Sequence, residues 1–250
     1  MSDGKVVLVT GGSRGIGAEV AMLAASRGWR VAVNYASNRR AALGVVEFIT
    51  ASGGEALAVA GNVGEERDVL AMFEAVDGHF GRLDGLVNNA GVVDRKARLD
   101  EMSVERLTRM MTINVIGSLL CAREAVKRMS TRHGGRGGAI VNLSSIAAKL
   151  GAPGEYVDYA ASKGAVDSFT VGLAREVAEE GIRVNAVSPG IIDTEIHASG
   201  GQPGRVAAMR GVVPMKREGK AHEIASAVLW LLSDEASYAT GAILNVSGGR

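Results

Sequence analysis

A single cysteine, Cys121, leaves the chain unable to form an internal disulfide, and nothing in it has the spacing of a zinc site, so no metal is expected. Neither sign of charge is in excess: 28 Lys and Arg against 27 Asp and Glu give a formal net charge of +1. That balance offers no general attraction to nucleic acid or to an anionic membrane. No run approaches the ~18 apolar residues of a membrane span. Lys5-Val6-Val7-Leu8-Val9 begins too near the N-terminus to leave room for a signal peptide, so the expected location is cytoplasmic. Aromatic residues are scarce at 4%, beside 47% hydrophobic residues and 34 glycines. The core should therefore be built of Val, Ile, Leu and Ala, with many tight turns. One basic cluster, Arg128, Arg132, His133 and Arg136, lies in a Gly-rich stretch and reads as a solvated loop.

What is present is an alternation of short apolar runs and longer helical patterns. The runs are Val6–Thr10, Arg30–Tyr35, Ala56–Ala60, Leu83–Asn88, Ala139–Leu143, Ile182–Val187 and Ala242–Val246. Most are continuously apolar, as strands covered on both faces are. Between them the pattern predicts helices over Gly17–Arg27, Asn38–Ala51, Glu65–Phe80, Val104–Thr131, Tyr156–Glu180 and Ala221–Ser233. This spacing specifies an α/β fold: a single doubly wound parallel sheet of Rossmann type, with right-handed crossovers and helices on both faces. No linker or repeat divides it, so residues 1–250 form one domain. Asp193–Gly219 breaks the rhythm with glycines and prolines; following the sixth strand, it is a candidate substrate lid.

Thr10-Gly11-Gly12-Ser13-Arg14-Gly15-Ile16-Gly17 joins the first strand to the first helix. Gly11 permits a sharp turn, Gly15 lets the backbone approach a pyrophosphate, and Gly17 lets the helix pack on the strand. The helix N-terminus adds amide donors and positive dipole. The spacing is G-x-x-x-G-x-G, a weak signal alone, but its place after a buried first strand supports a dinucleotide site.

Hydride chemistry at a carbonyl needs a proton donor at the oxygen. A tyrosine serves only if its pKa, ~10 when free, falls toward neutrality, which a nearby cation can achieve. Residues four apart on a helix are neighbours. Of the four tyrosines only Tyr159 has a lysine there, Lys163; Tyr35 is followed at that distance by Arg39.

Thr10–Gly17, Asn88-Asn89-Ala90-Gly91, Asn114, Ser144-Ser145, Tyr159-Ala-Ala-Ser-Lys163 and Pro189-Gly190 occur in the order found in short-chain dehydrogenases/reductases. The chain resembles that family over essentially its whole length, and is similar to the branch of glucose dehydrogenases and 3-oxoacyl-carrier-protein reductases. The resemblance implies Tyr159 as general acid/base and Lys163 as the cation that lowers its pKa and binds the nicotinamide ribose. It implies a serine on the substrate oxygen, and Asn114 anchoring a water that relays protons through Lys163. Asn88, Ala90 and Gly91 would line the cofactor, while Pro189, Gly190, Ile192 and Thr194 would meet its nicotinamide end. It also implies a homotetramer and a small carbonyl or alcohol substrate.

Two departures from the family pattern stand out. Asn62-Val63 replaces the usual Asp-Val that contacts adenine; an asparagine oxygen still accepts a hydrogen bond. Ser145 lies one residue farther from the tyrosine than is usual, so the catalytic serine is Ser145 if the strand side sets the register, with Ser144 the alternative. For the cofactor, the second strand ends Val33-Asn34-Tyr35-Ala36 without the carboxylate that would hold the NAD ribose, and Arg39 and Arg40 follow. With Arg14 in the glycine turn, this favours NADP (NADPH) over NAD. Two rival readings remain: a carrier-protein-dependent 3-oxoacyl reductase, with Arg128, Arg132 and Arg136 as a docking rim, and a non-catalytic Rossmann protein that senses cofactor ratio.

Overall fold

Runs such as Val6-Val7-Leu8-Val9 expose apolar side chains on both faces of a strand and need cover on each. The computed structural model, which describes residues 4–195, 201, 202 and 204–250, provides it. The strands are β1 (Val6–Val9), β2 (Arg30–Tyr35), β3 (Ala56–Ala60), β4 (Gly85–Asn88), β5 (Gly138–Leu143), β6 (Ile182–Pro189), β7 (Ile192–Asp193), β8 (Gly219–Lys220) and β9 (Ile243–Val246). Seven of them form one parallel sheet in the order β3-β2-β1-β4-β5-β6-β9, and β7 pairs with β8 apart from it.

The helices are α1 (Gly15–Ser26), α2 (Arg39–Ala51), α3 (Glu66–Phe80), α4 (Val104–Met111), α5 (Gly117–Met129), α6 (Ala147–Leu150), α7 (Val157–Glu176), α8 (Arg205–Met209) and α9 (Ala221–Leu232). One core holds α1, α2 and α9 against Val7, Val9, Val31 and Val141. The other holds α3, α5 and α7 against Val6, Leu8, Leu86 and Ile140. Alternate residues of one strand thus feed different cores, as the two-residue period of a strand requires.

The expected right-handed crossovers fail once. From β4 to β9 the chain steps in one direction across the sheet, and α5 and α7 lie on the same face. Helix α9 makes a step in that direction from the opposite face, so the β6–α9–β9 connection has the other hand. Continuous apolar strands carry no signal of which face a crossover takes. The packing partner decides it here: α9 is apolar enough to fill the space beside α1, where Ile224, Val228, Leu229 and Leu232 are buried.

The helix expected over Val104–Thr131 is also interrupted. Thr112–Ile116 is π-helical, and the chain leaves α5 at Met129 for a short 3₁₀ turn. Such a bulge re-aims the side chains within it, and Asn114 is one of them. Strand order reverses between β1 and β4, which opens a cleft beyond their carboxyl ends.

Candidate functional site

The glycine turn is held by polar groups from three strands. Gly11 has φ +60°, and the Asn34 side chain accepts from its amide at 3.0 Å while donating to Gly61 O at 3.0 Å. Asn89 donates to Thr10 O at 2.9 Å and Gly11 O at 3.0 Å. Thr10 Oγ1 accepts from the amides of Asn89 and Ala90, both at 3.0 Å. A Cβ on Gly17 would lie 2.4 Å from Gly11 O, so only glycine lets α1 come this close. No side chain caps α1, and its first turn holds no acid, so its leading amides remain open to an anion.

Gly11, Ser13, Arg14, Gly15 and Ile16 line a groove together with Tyr35, Asn62, Val63, Ala90, Gly91 and Thr194. This cradle of open amides and small residues fits a dinucleotide. Gly17 packs beneath the turn, in the helix-packing role expected of it. Two residues predicted for the groove stand elsewhere. Asn88 turns inward, donating to Ser118 O at 3.1 Å and Asn142 Oδ1 at 3.0 Å. Arg39 begins α2 on the exposed side, outside the lining. Asn62 lines the groove, but its Oδ1 already accepts from the Gly64 amide at 3.1 Å.

Asn34 and Asn89, which hold the turn, are site residues that sequence reasoning missed. Asn34 is a polar residue at the end of an apolar strand beside the glycine turn, and that break in the run could have revealed it. For the Asn88-Asn89 pair, the strand period sends neighbouring side chains opposite ways, so only one could face the groove.

The groove continues into a second pocket through Ile16, Asn89, Gly91 and Thr194, which border both. Tyr159, Lys163, Ser144 and Ser145 line it, with Pro189, Gly190 and Ile192 closing one side. Tyr159 and Lys163 face it from successive turns of α7. Lys163 Nζ donates to Leu143 O at 2.6 Å and sits 5.7 Å from the centre of the Tyr159 ring. A Cβ on Gly91 would stand 3.3 Å from Asn114 Oδ1 and 3.6 Å from Lys163 Nζ, so glycine keeps this corner open.

Ser145 faces Tyr159, whereas Ser144 is buried, its Oγ 3.5 Å from Lys163 O. Asn114 is fully buried and does not line the pocket. Its Oδ1 accepts from Val92 N at 2.8 Å, and its Nδ2 donates to Val92 O at 3.0 Å and Ser162 Oγ at 3.1 Å. Both amide hydrogens are therefore engaged within the protein.

Burial raises the Tyr159 phenol above its ordinary pKa, with the Ser145 hydroxyl pulling it down. Burial also pushes the Lys163 ammonium down to about 8, against the attraction of Asp167. The lysine is thus held close to its charge transition, ready to respond to a neighbouring change in charge. Burial thus outweighs, in the protein alone, the lowering of the tyrosine pKa that the resemblance implied.

The cations near the cleft are largely paired. Arg106 holds Asp158 at 2.8 Å, Arg109 holds Asp94 at 2.8 Å, and Arg210 holds Glu218 at 2.6 Å. The basic cluster read as a loop lies at the opposite end of the sheet, where β5 begins. Arg132, His133 and Arg136 are exposed there, but Arg128 is not simply solvated. It pairs with Asp77 at 2.8 Å and Glu124 at 3.0 Å, and lies 4.9 Å over the Phe73 ring. Among the described residues no cluster could hold a metal ion, and no helix is long and apolar enough to cross a membrane.

A family model described as Enoyl-(Acyl carrier protein) reductase matches residues 11–250. The chain is 54% identical to the uncharacterised oxidoreductase YgfF of Escherichia coli K12, over 98% of this chain and 99% of that one. It is 40% identical to the 3-oxoacyl-[acyl-carrier-protein] reductase FabG of Staphylococcus aureus, covering 98% and 97%. It is 38% identical to glucose 1-dehydrogenase 2 of Bacillus subtilis, covering 98% and 94%. A crystal structure of a dehydrogenase/reductase from Sinorhizobium meliloti 1021 superposes with a TM-score of 0.90 at 32% identity, covering 98% and 94%.

Proposed function

The chain belongs to the short-chain dehydrogenase/reductase family, and from that membership we propose an NADP(H)-dependent enzyme that moves a hydride between nicotinamide and a carbonyl or secondary alcohol carbon of a small molecule. The observation that carries this reading is the convergence of Tyr159, Ser145 and Lys163 on one pocket continuous with the groove under the glycine turn. The groove would hold the cofactor through the α1 amides, Ser13 and Thr194. When bound, the cofactor supplies or accepts the hydride.

The protein's own residues handle the oxygen and its proton. Tyr159 gives its phenolic proton to the substrate oxygen in reduction and takes it back in oxidation. Ser145 donates a hydrogen bond to the same oxygen, a contact that strengthens as negative charge develops. The Lys163 ammonium lowers the cost of the phenolate left behind. Asn114 acts as a positioning residue: it fixes Val92 beside Gly91 and steadies Ser162, one position before the lysine. Since its amide is engaged, a relay water would need another atom of this segment.

The cofactor preference rests on charge. No carboxylate occurs from Asn34 to Arg40, and Arg14 lies on the groove wall. A 2′-phosphate would gain a charge-assisted hydrogen bond there and meet no repulsion. Arg39 would contribute at most from outside the wall, so Arg14→Gln should weaken NADPH by ~10- to 100-fold and exceed Arg39→Gln in effect. The docking rim of the carrier-protein alternative loses support, because Arg128, Arg132 and Arg136 lie far from the cleft. A protein that only sensed cofactor would have no use for Tyr159 and Lys163 beside Ser145.

The test is a panel of sugars, ketones and acyl thioesters, each with NADPH and NADH. Tyr159→Phe should cost ~10²–10⁴-fold in kcat with NADPH binding retained, and Tyr156→Phe far less. Carbonyl turnover that survives Tyr159→Phe, or better kcat/KM with NADH, would overturn the corresponding half of the proposal.

A further inference from the structure

The substrate side of the pocket carries a cation arranged unlike its neighbours. Arg217 uses two nitrogens on Glu223, at 2.9 and 2.7 Å, and Arg210 does the same with Glu218, at 2.6 and 2.8 Å. Arg205, at the start of α8, does not. It places Nη2 on Glu155 at 2.7 Å, while Nη1 is buried and has no hydrogen-bond partner. Its side chain is only 10% exposed, and its guanidinium lies 4.9 Å over the ring of Tyr156.

A buried guanidinium nitrogen without a partner is expensive and calls for an explanation. Charge does not supply one. Glu155 is shared between Arg205 and Lys96, so two cations meet one carboxylate and the cluster stays positive. The burial that would raise the Glu155 carboxyl is overcome by hydrogen bonds from Arg205 and Lys96, which hold it ionised below its ordinary range. Stacking on Tyr156, a hydrogen bond with its phenol and the bond to Glu155 leave the guanidinium little freedom, so the buried Nη1 is fixed in place at the edge of the pocket that Arg205 lines. Tyr156 is the residue just before α7, and it lines the same pocket as Tyr159.

We propose that Arg205 is a substrate-recognition residue, and that the carbonyl compound handled here carries an oxyanion, a carboxylate or a phosphate, a few bonds from the reacting carbon. That group pairs with the Arg205 guanidinium and gives Nη1 a partner while the carbonyl oxygen lies against Tyr159 and Ser145. The inference rests on the reading of the pocket as a carbonyl site and names the substrate class for it.

Two matched pairs test it: levulinate against methyl levulinate, and dihydroxyacetone phosphate against dihydroxyacetone. Each is measured for kcat/KM and, by calorimetry on the NADPH-loaded protein, for binding. The wild-type protein should favour the charged member of at least one pair by ~10- to 100-fold, mainly through KM. The favoured pair identifies the anion. Arg205→Gln should bring that ratio close to one, and Arg205→Lys should restore part of it, since lysine keeps the charge but not the fork. Equal handling of both members in both pairs, or a ratio unchanged in Arg205→Gln, overturns the subsite. Turnover of the neutral ketones without charge preference would remove the subsite and leave the oxidoreductase reading standing. Arg205-dependent anion binding with no turnover of any carbonyl would do the reverse.

Discussion

Lys163, in the role proposed for it, sets function against stability in a single residue. Its folded pKa, about 8, lies below the ordinary 10.5 because the ammonium is buried. Below pH 8 both the folded and the unfolded chain carry the proton, and the folded protein bears the full cost of a buried charge. Between about pH 8 and 10.5 the unfolded chain binds more protons, so this group makes stability rise with pH. Tyr159, whose pKa burial raises, works the other way at higher pH: its contribution is lost as the phenol ionises. The difference in thermal midpoint between the wild-type protein and Lys163→Met isolates the lysine. It should move in favour of the wild type as pH goes from 7 to 10, and a flat difference would show that the charge is not buried at this cost. The serine pair is a second test at this scale. Ser145→Ala should reduce kcat by roughly 10²–10³-fold, as loss of an oxyanion donor does. Ser144→Ala should cost much less, because its hydroxyl faces α7 rather than Tyr159. Equal losses would mean that the two serines share the oxygen.

The elements that carry the proposed site are held by contacts that pattern reading finds only in part. Arg106 on α4 grips Asp158 on α7 at 2.8 Å, with side chains 12% and 2% exposed, and so fixes the residue next to Tyr159. Removing one partner of a buried pair strands the other, so Arg106→Met should cost about 3 kcal/mol and lower the melting temperature by roughly 6–12 °C. Arg106→Met with Asp158→Leu should recover part of that loss; a double variant as unstable as the sum of the singles would refute the coupling. The Tyr159–Lys163 pair was legible because helical spacing places residues four apart together. Arg106 and Asp158 are fifty-two positions apart, and no local period links them. The π-helical turn at Thr112–Ile116 was hidden for a related reason: what stabilises it is the fit of Asn114 to Val92 and Ser162, from other parts of the chain. Of the lid expected over Asp193–Gly219, residues 196–200 and 203 lie outside the described residues. Its ends are tied by β7 pairing with β8, and α8 brings Arg205 to the pocket.

At the scale of the whole molecule, the parallel sheet was legible because doubly covered strands are continuously apolar, but the hand of the last crossover was not. Helix α9 lies beside α1, and its outer face carries Trp230, 39% exposed, with the fully exposed Tyr238 in the turn after it. Next to it β9 ends the sheet, and among the described residues no further strand pairs with its outer edge. Far across the fold, α4, α5 and the π-helical turn between them expose Met111, Ile116 and Leu119. An apolar helix face and an open sheet edge suit a second copy of the same chain, because a two-fold axis pairs each with itself. Two distinct faces of this kind, used together, close a tetramer with three perpendicular axes. The expected mass by light scattering at micromolar concentration is therefore that of four chains. Leu119→Glu places two like charges in each contact of one kind, and Trp230→Glu does so in the other. Each variant should leave dimers, and the two combined should leave monomers. A monomeric wild-type protein would refute the assembly. Dimers from only one of the variants would mean that a single face is used. The variants also bear on catalysis, since α5 packs against the β4 end of the cleft and carries the turn that holds Asn114. If assembly steadies that turn, Leu119→Glu should lower kcat more than Trp230→Glu does, with NADPH affinity changed by neither.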